Sequence, residues 1–399
     1  MSVNDKKNSG YAAQTKIAHA GRQYAVHGMV NPGVYHASTI TVPTLKDWFG
    51  NTSKYGYGRY GTPTLRALEE SVADLEGGHG CCLFPSGLAA ITSSLLIMLQ
   101  QGDHLLVTDS AYRPTRNFCN EMLTNMGVET TYYDPCVGAG IEALIKPNTR
   151  VIFLESPGSL TMEMQDIPAI VKVARQKGIV TIIDNTWGAG HYFKPLAFGC
   201  DISVQAGTKY IVGHSDVMLG TATTSQALWE NYRNKYKLLG QHVGPDDVYL
   251  ALRGLHTIDV RLERHMKNAL TVAKWLRERD EVAEVLHPGL PDAAGHDLWK
   301  RDYNGACGLF SIRLKNSDRK AIAAMIDNLS LFGIGASWGG FESLVIPFEP
   351  ASYRTATKWP HTGTSLRFHI GLEAPQDLIA DLEAGFERML AATIKMENI

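Results

Sequence analysis

"VQAGTKYIVGHSDVMLG", Val204 to Gly220, decides how the rest of this chain is read. An apolar run stops at a turn of small residues, Ala206 and Gly207. The turn carries one lysine, Lys209, between a threonine and a tyrosine. Burying an unpaired ammonium costs on the order of several kcal/mol. A lysine set on the end of a buried strand therefore either snorkels to water or has work to do. Upstream, "TIIDNTW" ends a second apolar run on Asp184. Asp184 and Lys209 each close a strand, and the stretch between them is long enough for one turn and one crossover.

Working outward, "LRALEESVADLEGG" predicts a helix stopped by glycines, and "SGLAAITSSLLIMLQQG" a second, small and apolar. "HLLVTD", "ETTYYD", "RVIFLESP", "IVTIIDNT" and "DISVQAGTKY" predict strands. "TRNFCNEMLTNMG", "GIEALIKPNT" and "IPAIVKVARQKG" predict the helices between them. Helix alternating with buried strand means an α/β fold, a mostly parallel sheet with helices on both faces. Ligands bind such sheets beyond the carboxyl ends of the strands, where Glu155, Asp184 and Lys209 fall. Next comes one long helical stretch, "DDVYLALRGLHTIDVRLERHMKNALTVAKWLRER". After it, "EVLHP", "GLFSIRL", "RKAIAAMIDNL", "SLVIP", "SLRFHIGL" and "PQDLIADLEAGFERML" predict a smaller α+β domain. The expected divisions are 1–60, an irregular arm rich in aromatics, glycine and proline; 61–255; and 256–399.

Composition narrows the function classes. The chain has 399 residues, 20% charged and 44% hydrophobic, with a formal net charge of −2. That is a globular balance with no basic stripe for nucleic acid. No apolar run has the length of a membrane span. The polar opening "MSVNDKKNSG" lacks the apolar core of a signal peptide, so a cytoplasmic location is expected. The six cysteines form no CxxC and no metal-ligand spacing, so reduced thiols and no metal are expected.

A lysine amine and a strand-end acid in one crevice meet the two main needs of a pyridoxal phosphate (PLP) site. The amine holds the aldehyde as a Schiff base, and the acid pairs with the pyridine nitrogen. "FPSGLAAITSSL" offers an anion cradle, with Ser86 and Gly87 opening a helix whose first amides point outward. Thr208 could add a hydroxyl. Tyr112, after "HLLVTD", could stack on a flat ring, although loop packing explains it as well. Tyr57 and Arg59 in "YGYGRYG" could pack on the chain's own surface or reach a neighbouring subunit. Arg367 in "SLRFHIGLE" suits a carboxylate, or a structural ion pair. A nicotinamide dehydrogenase would need a GxGxxG at its first helix, which is absent. A binding protein that had lost the chemistry would not need Lys209, Asp184, Tyr112 and Arg367 together.

From about Tyr55 to the C-terminus the chain resembles the Cys/Met-metabolism, or trans-sulfuration, family of fold-type I PLP enzymes. "TKYIVGHSDVMLG" resembles that family's lysine signature. "YGRYGTPT", "LFPSGLAA", "VTDSAYRPT", "FLESPGS", "IIDNTW" and "SLRFHIGLE" follow in the family's order. The resemblance implies a fold-type I PLP-dependent transferase fold with a seven-stranded sheet. It implies Lys209 as the Schiff-base lysine, Asp184 as the pyridine-nitrogen partner and Tyr112 as the ring-stacking, proton-handling residue. Ser86, Gly87, Leu88, Ala206 and Thr208 would line the phosphate site, and Tyr57 and Arg59 would reach it from the adjacent subunit. Arg367, Ser337 and Trp338, with Tyr57 and Tyr112, would bind the substrate. The assembly would be a homotetramer built from two catalytic dimers. In "ASWGGFES", Trp338 stands where γ-acting members usually carry leucine, and Ser159 replaces their asparagine. Both favour β-elimination from an amino-acid thioether over the γ-acting alternative. Tyr236 falls about one position from the aromatic expected in the distal pocket.

Overall fold

The computed structural model describes residues 10–50, 52–315, 318–359 and 364–397. Most of the opening stretch, on which the absence of a leader is read, lies outside them. Helix α1, Pro63–Glu76, starts at Thr62, whose side chain accepts from Leu65 N, with Pro63 in the first turn. It stops at Gly77, which takes the left-handed conformation at φ +69°. Strand β1, Gly80–Phe84, then runs into helix α2, Gly87–Met98. Strands β2 (His104–Thr108), β3 (Glu129–Tyr133) and β4 (Thr149–Glu155) follow, then helix α3 (Ile167–Gln176). Strands β5 (Val180–Asp184), β6 (Ile202–Gln205) and β7 (Gly220–Thr224) complete the large sheet.

Its order is β1-β7-β6-β5-β4-β2-β3. Pairing is parallel from β3 across to β6, and β7 alone runs against its neighbours. Leu106, Ile152 and Ile183 enter one apolar core, while Leu105, Val151, Phe153 and Ile182 enter another on the opposite face. This double burial explains why the central strands read as unbroken apolar runs. Strand β7 has no such signature. Strand β7 reads Gly-Thr-Ala-Thr-Thr, yet every residue is buried. Where "GIEALIKPNT", 140–149, is expected to form a short helix, the chain instead makes 3₁₀ turns over Gly138–Leu144.

The long helical stretch is two helices, α4 (Pro245–Leu255) and α5 (Ile258–Arg277). Gly254 packs so closely that a Cβ there would lie 2.2 Å from the carbonyl oxygen of Val212. Arg261 Nη2 donates to Gly254 O and to Tyr210 O, each at 2.8 Å. It thus takes a carbonyl the helix would otherwise use. The first half of α5, with Ile258 and Leu262, joins the large-sheet core; Ala269, Val272 and Leu276 join the core of the small sheet.

The small sheet has the order β10-β11-β12-β9-β8. Its strands are β8 (Val282–Leu286), β9 (Leu309–Leu314), β10 (Phe332–Ile334), β11 (Ser343–Phe348) and β12 (Ser365–His369), covered by helix α6, Pro375–Glu397. On β12, Leu366 and Phe368 enter the core. The alternation of a strand puts Arg367 and His369 together on the opposite face.

Candidate active site

The parallel strands deliver their carboxyl ends to one edge. Asp184 ends β5 and pairs in register with Glu155, the last residue of β4. Tyr112 lies just past β2, and its amide donates to Glu155 Oε2 at 2.8 Å. Beyond β6 the chain turns tightly, Lys209 N bonding to Ala206 O at 3.0 Å. Lys209 Nζ then donates to Ser337 Oγ at 2.6 Å and lies 5.6 Å from the centre of the Trp338 ring.

The loop 335–340 comes from the small sheet and is held by one face of β12. Arg367 donates to the carbonyls of Ala336 (3.0 Å), Gly335 (3.1 Å) and Ser337 (2.9 Å). His369 Nε2 lies 3.1 Å from Gly339 N and 3.0 Å from Gly340 O. At Gly339, with φ +88°, a Cβ would stand 2.9 Å from Lys209 Cα. Only a glycine in this left-handed conformation lets the loop lie flat on the lysine backbone. Ser215 Oγ bonds to Glu342, tying the lysine segment to the same loop.

The charges form one coupled group. Burial first, then the Arg367 guanidinium, lowers the Lys209 amine to about 8, with Asp184 opposing. Burial raises Asp184, while bonds from the Thr186 hydroxyl (2.5 Å) and amide (2.9 Å), and the Lys209 charge, favour its anion. Burial first, then the neighbouring Asp184, raises Glu155 well above the usual carboxylate value, opposed by the bond from the Tyr112 amide. Burial, followed by the Asp184 and Glu155 charges, raises the Tyr112 phenol. Arg367 is lowered by burial to about 10 and remains a cation at neutral pH.

A family model described as "Cys/Met metabolism PLP-dependent enzyme" matches residues 14–387. The chain belongs to this family. It is 46% identical over 389 residues to the cystathionine β-lyase of Salmonella typhimurium, covering 94% of this chain and 98% of that one. It is 45% identical to the cystathionine β-lyase of Escherichia coli over the same length and coverage. The crystal structure of cystathionine γ-synthase from Xanthomonas oryzae pv. oryzae, in complex with aminoacrylate and cysteine, superposes with a TM-score of 0.88. That match has 32% identity and covers 96% of this chain and 99% of the other. The expected fold-type I architecture is thereby borne out.

The cofactor of the Cys/Met metabolism family fits the residues present. Ser86 caps α2, its Oγ accepting from Ala89 N at 3.1 Å, which leaves the Gly87 and Leu88 amides without helical acceptors. A Cβ on Gly87 would sit 2.5 Å from that of Ala206, and one on Gly220 would sit 2.0 Å from Ser86 O. Only glycines allow this turn to press against β6 and β7, forming a cradle suited to a phosphate. The Tyr112 side of the cleft is open, with 45% of the residue exposed.

Other expected residues make the following contacts within the chain. Thr208 Oγ1 is engaged by Leu219, donating to its carbonyl at 3.1 Å and accepting from its amide at 2.8 Å. Within one chain, Arg59 donates to Lys237 O at 3.0 Å and Tyr57 is exposed beside it. These bonds do not join them to the Lys209 group. Tyr236 belongs to the core: its hydroxyl donates to Leu83 O at 2.8 Å and its ring packs on Phe84. Arg367 spends its terminal nitrogens on loop carbonyls, and its buried Nε has no protein partner. Sequence reading gave no role to Asp109, Arg116 or His369; Asp109 and His369 sit two or three residues from Tyr112 and Arg367 in quoted motifs, the one signal available. Among the described residues no group of three or more His, Cys, Asp and Glu could hold a metal ion, and no helix is long and apolar enough to cross a membrane.

Proposed function

We propose that this chain is a cystathionine β-lyase. It would cleave the β-carbon–sulfur bond of L-cystathionine and, with the uptake of one water, give L-homocysteine, pyruvate and ammonia. The observation that carries this reading is Lys209, its amine lowered to about 8 and bonded to Ser337 beside Trp338. Near-full-length relatives of that name add support.

The Gly87 and Leu88 amides, with Ser86, would hold the cofactor phosphate. Lys209 would hold its aldehyde, Asp184 its ring nitrogen and Tyr112 its ring face. Bound PLP supplies a sink for the electron pair released at the substrate α-carbon. The Arg367 cation and its unpartnered Nε would orient the α-carboxylate. Lys209 Nζ, as free base, would take the α-proton, an amine lowered toward neutrality being suited to that transfer. The proton would return to the departing sulfur from Lys209 or from the Tyr112 phenol, which its raised pKa keeps protonated.

Exposed apolar residues on the arm, Met29, Val30, Leu45, Trp48 and Phe49, support a homo-oligomer, the family's tetramer being our choice. In it Tyr57 and Arg59 would serve the adjacent subunit. The setting would be the cytoplasm. The test supplies protein loaded with PLP with L-cystathionine and identifies the keto acid by mass. Pyruvate with homocysteine is expected. 2-Oxobutyrate with cysteine would mean γ-elimination and end the β-lyase reading.

A further inference from the structure

Asp109 lies between β2 and Tyr112, and its carboxylate is fully buried. Three successive amides of one distant loop converge on it: Thr355 N (3.0 Å), Ala356 N (3.1 Å) and Thr357 N (2.8 Å). The hydroxyls of Thr357 (2.9 Å) and Thr355 (3.3 Å) donate to it as well. Arg116 Nη1 completes the set at 2.9 Å, a pair 3% and 0% exposed. Burial alone would raise the Asp109 carboxyl, but the donors from Thr355, Ala356 and Thr357 outweigh it and hold it low.

The grip has a second point. Arg116 Nη2 donates to Tyr353 O at 2.6 Å and to Thr355 Oγ1 at 3.2 Å. A third comes from the loop itself, where Arg354 donates to Thr161 Oγ1 at 2.7 Å and pairs with Glu163 at 2.5 Å. Thr355 and Ala356 are exposed at the surface, where water would ordinarily satisfy such amides. Here a buried carboxylate takes all three, an arrangement that fixes backbone in place.

The location gives the grip its meaning. The loop joins β11 to β12, and β12 carries Arg367. Asp109 sits three residues before Tyr112, and Arg113, the residue after Tyr112, lies 5.9 Å from the Tyr353 ring. Tyr112 follows β2 of the large sheet, and Arg367 stands on β12 of the small one. The Asp109 contacts bond the segment before Tyr112 directly to the stretch that follows β11, the strand paired with β12.

We propose that Asp109 and Arg116 form a latch that fixes Arg367 relative to Tyr112, and that the latch sets how tightly the site holds an amino-acid substrate. Both are positioning residues, acting through the described stretch that follows β11 and through β11 itself, whose Ile346 pairs with Arg367 on β12. The inference rests on the reading of the cleft as an amino-acid site, and not on which thioether it cleaves.

The test uses Asp109→Asn, which keeps the shape and removes the charge, with the full chain loaded with PLP. Hydrogen exchange is read at the amides of Thr355, Ala356 and Thr357. Affinity for glycine, which presents the same amine and carboxylate as any substrate, is read from the cofactor absorbance. KM and kcat are read with L-cystathionine. Losing one set of charge-assisted bonds should speed exchange and weaken glycine binding by about tenfold each. KM should rise by a similar factor of about ten with kcat changing less than about threefold. If Asp109→Asn fails to fold, the double variant Thr355→Val/Thr357→Val, which removes the two hydroxyls that donate to Asp109 and leaves its charge, should move exchange and glycine affinity in the same direction by about threefold. Unchanged exchange would show that there is no latch. Faster exchange with unchanged glycine affinity and KM would show a latch that merely stabilises the fold, and would overturn the proposal. A wild-type protein that binds glycine but leaves cystathionine intact would sink the substrate reading while leaving the latch to be judged by exchange and glycine.

Discussion

Lys209 Nζ stands 2.6 Å from Ser337 Oγ, so an amine carried by the large sheet is bonded to a loop carried by the small one. The amine is lowered to about 8, burial first and Arg367 second, and its reactivity follows from that. Only the free base attacks an aldehyde. The rate of PLP uptake by cofactor-free protein should therefore rise with pH through about 8 and level off above it, as followed by absorbance. The stability sign is the same. An unfolded lysine, near 10.5, binds more protons than the folded one between the two values, so cofactor-free protein should gain stability as pH rises from about 8 toward 10.5. Lys209→Ala should take up no PLP that borohydride can fix. An uptake midpoint near 10.5 would contradict the burial and Arg367 effects.

Asp184→Asn keeps a group able to accept from Thr186 and loses the charge. The electron sink should weaken accordingly. By analogy with loss of one preorganised electrostatic group, kcat should fall by about 10²–10³, or roughly 3–4 kcal/mol. Steady-state kinetics with L-cystathionine at saturating PLP checks this, and unchanged kcat would remove Asp184 from its role.

At Gly339 the backbone is left-handed, and a Cβ would meet Lys209 2.8–2.9 Å away along its backbone. Gly339→Ala adds both strain and a clash, together about 2–4 kcal/mol. The loop should lift from Lys209, freeing its amine from Ser337. We expect a lower melting temperature together with a shifted midpoint for PLP uptake. A variant melting and reacting as wild type would show that the loop is not pressed against the lysine.

Glu76 is buried on α1, accepting from Asn185 Nδ2 (3.0 Å) and Ser203 Oγ (3.0 Å) and from Gln205. Burial pushes its carboxyl up to about 7 despite these donors. A folded acid above its unfolded value of 4.5 holds more protons than the unfolded chain between the two. Stability should thus fall as pH rises from about 4.5 through 7, by about 3 kcal/mol from this group. Urea midpoints across that range should show the slope in wild type and lose this part of it in Glu76→Gln. Identical slopes would assign it to other groups.

Some of this was written plainly in the chain. Central strands β2, β4, β5 and β6 are covered on both faces, so apolar residues fill them and glycine or small-residue turns bound them. Asp184 and Lys209 were legible because polar residues at the ends of such runs stand out. The Gly87 turn was legible because a helix opening on Ser-Gly has a local pattern. Strand β7 was not, because its buried threonines carry no apolar signal and its antiparallel direction depends on neighbours far away in sequence.

The sequence by itself determined the α/β layering, the central strands β2 to β6, and the identity of the lysine and acid at the strand ends. These follow from local periodicity and from the cost of burying a charge. Only the tertiary structure decided that helix breaks at 256–257, that Arg367 is spent on the carbonyls of 335–337, that Tyr236 is core, and that Asp109 grips Thr355–Thr357. In each case the deciding partner lies on another element, brought near by packing. The energy of such contacts depends on distance in space, and no pattern local to one segment encodes that.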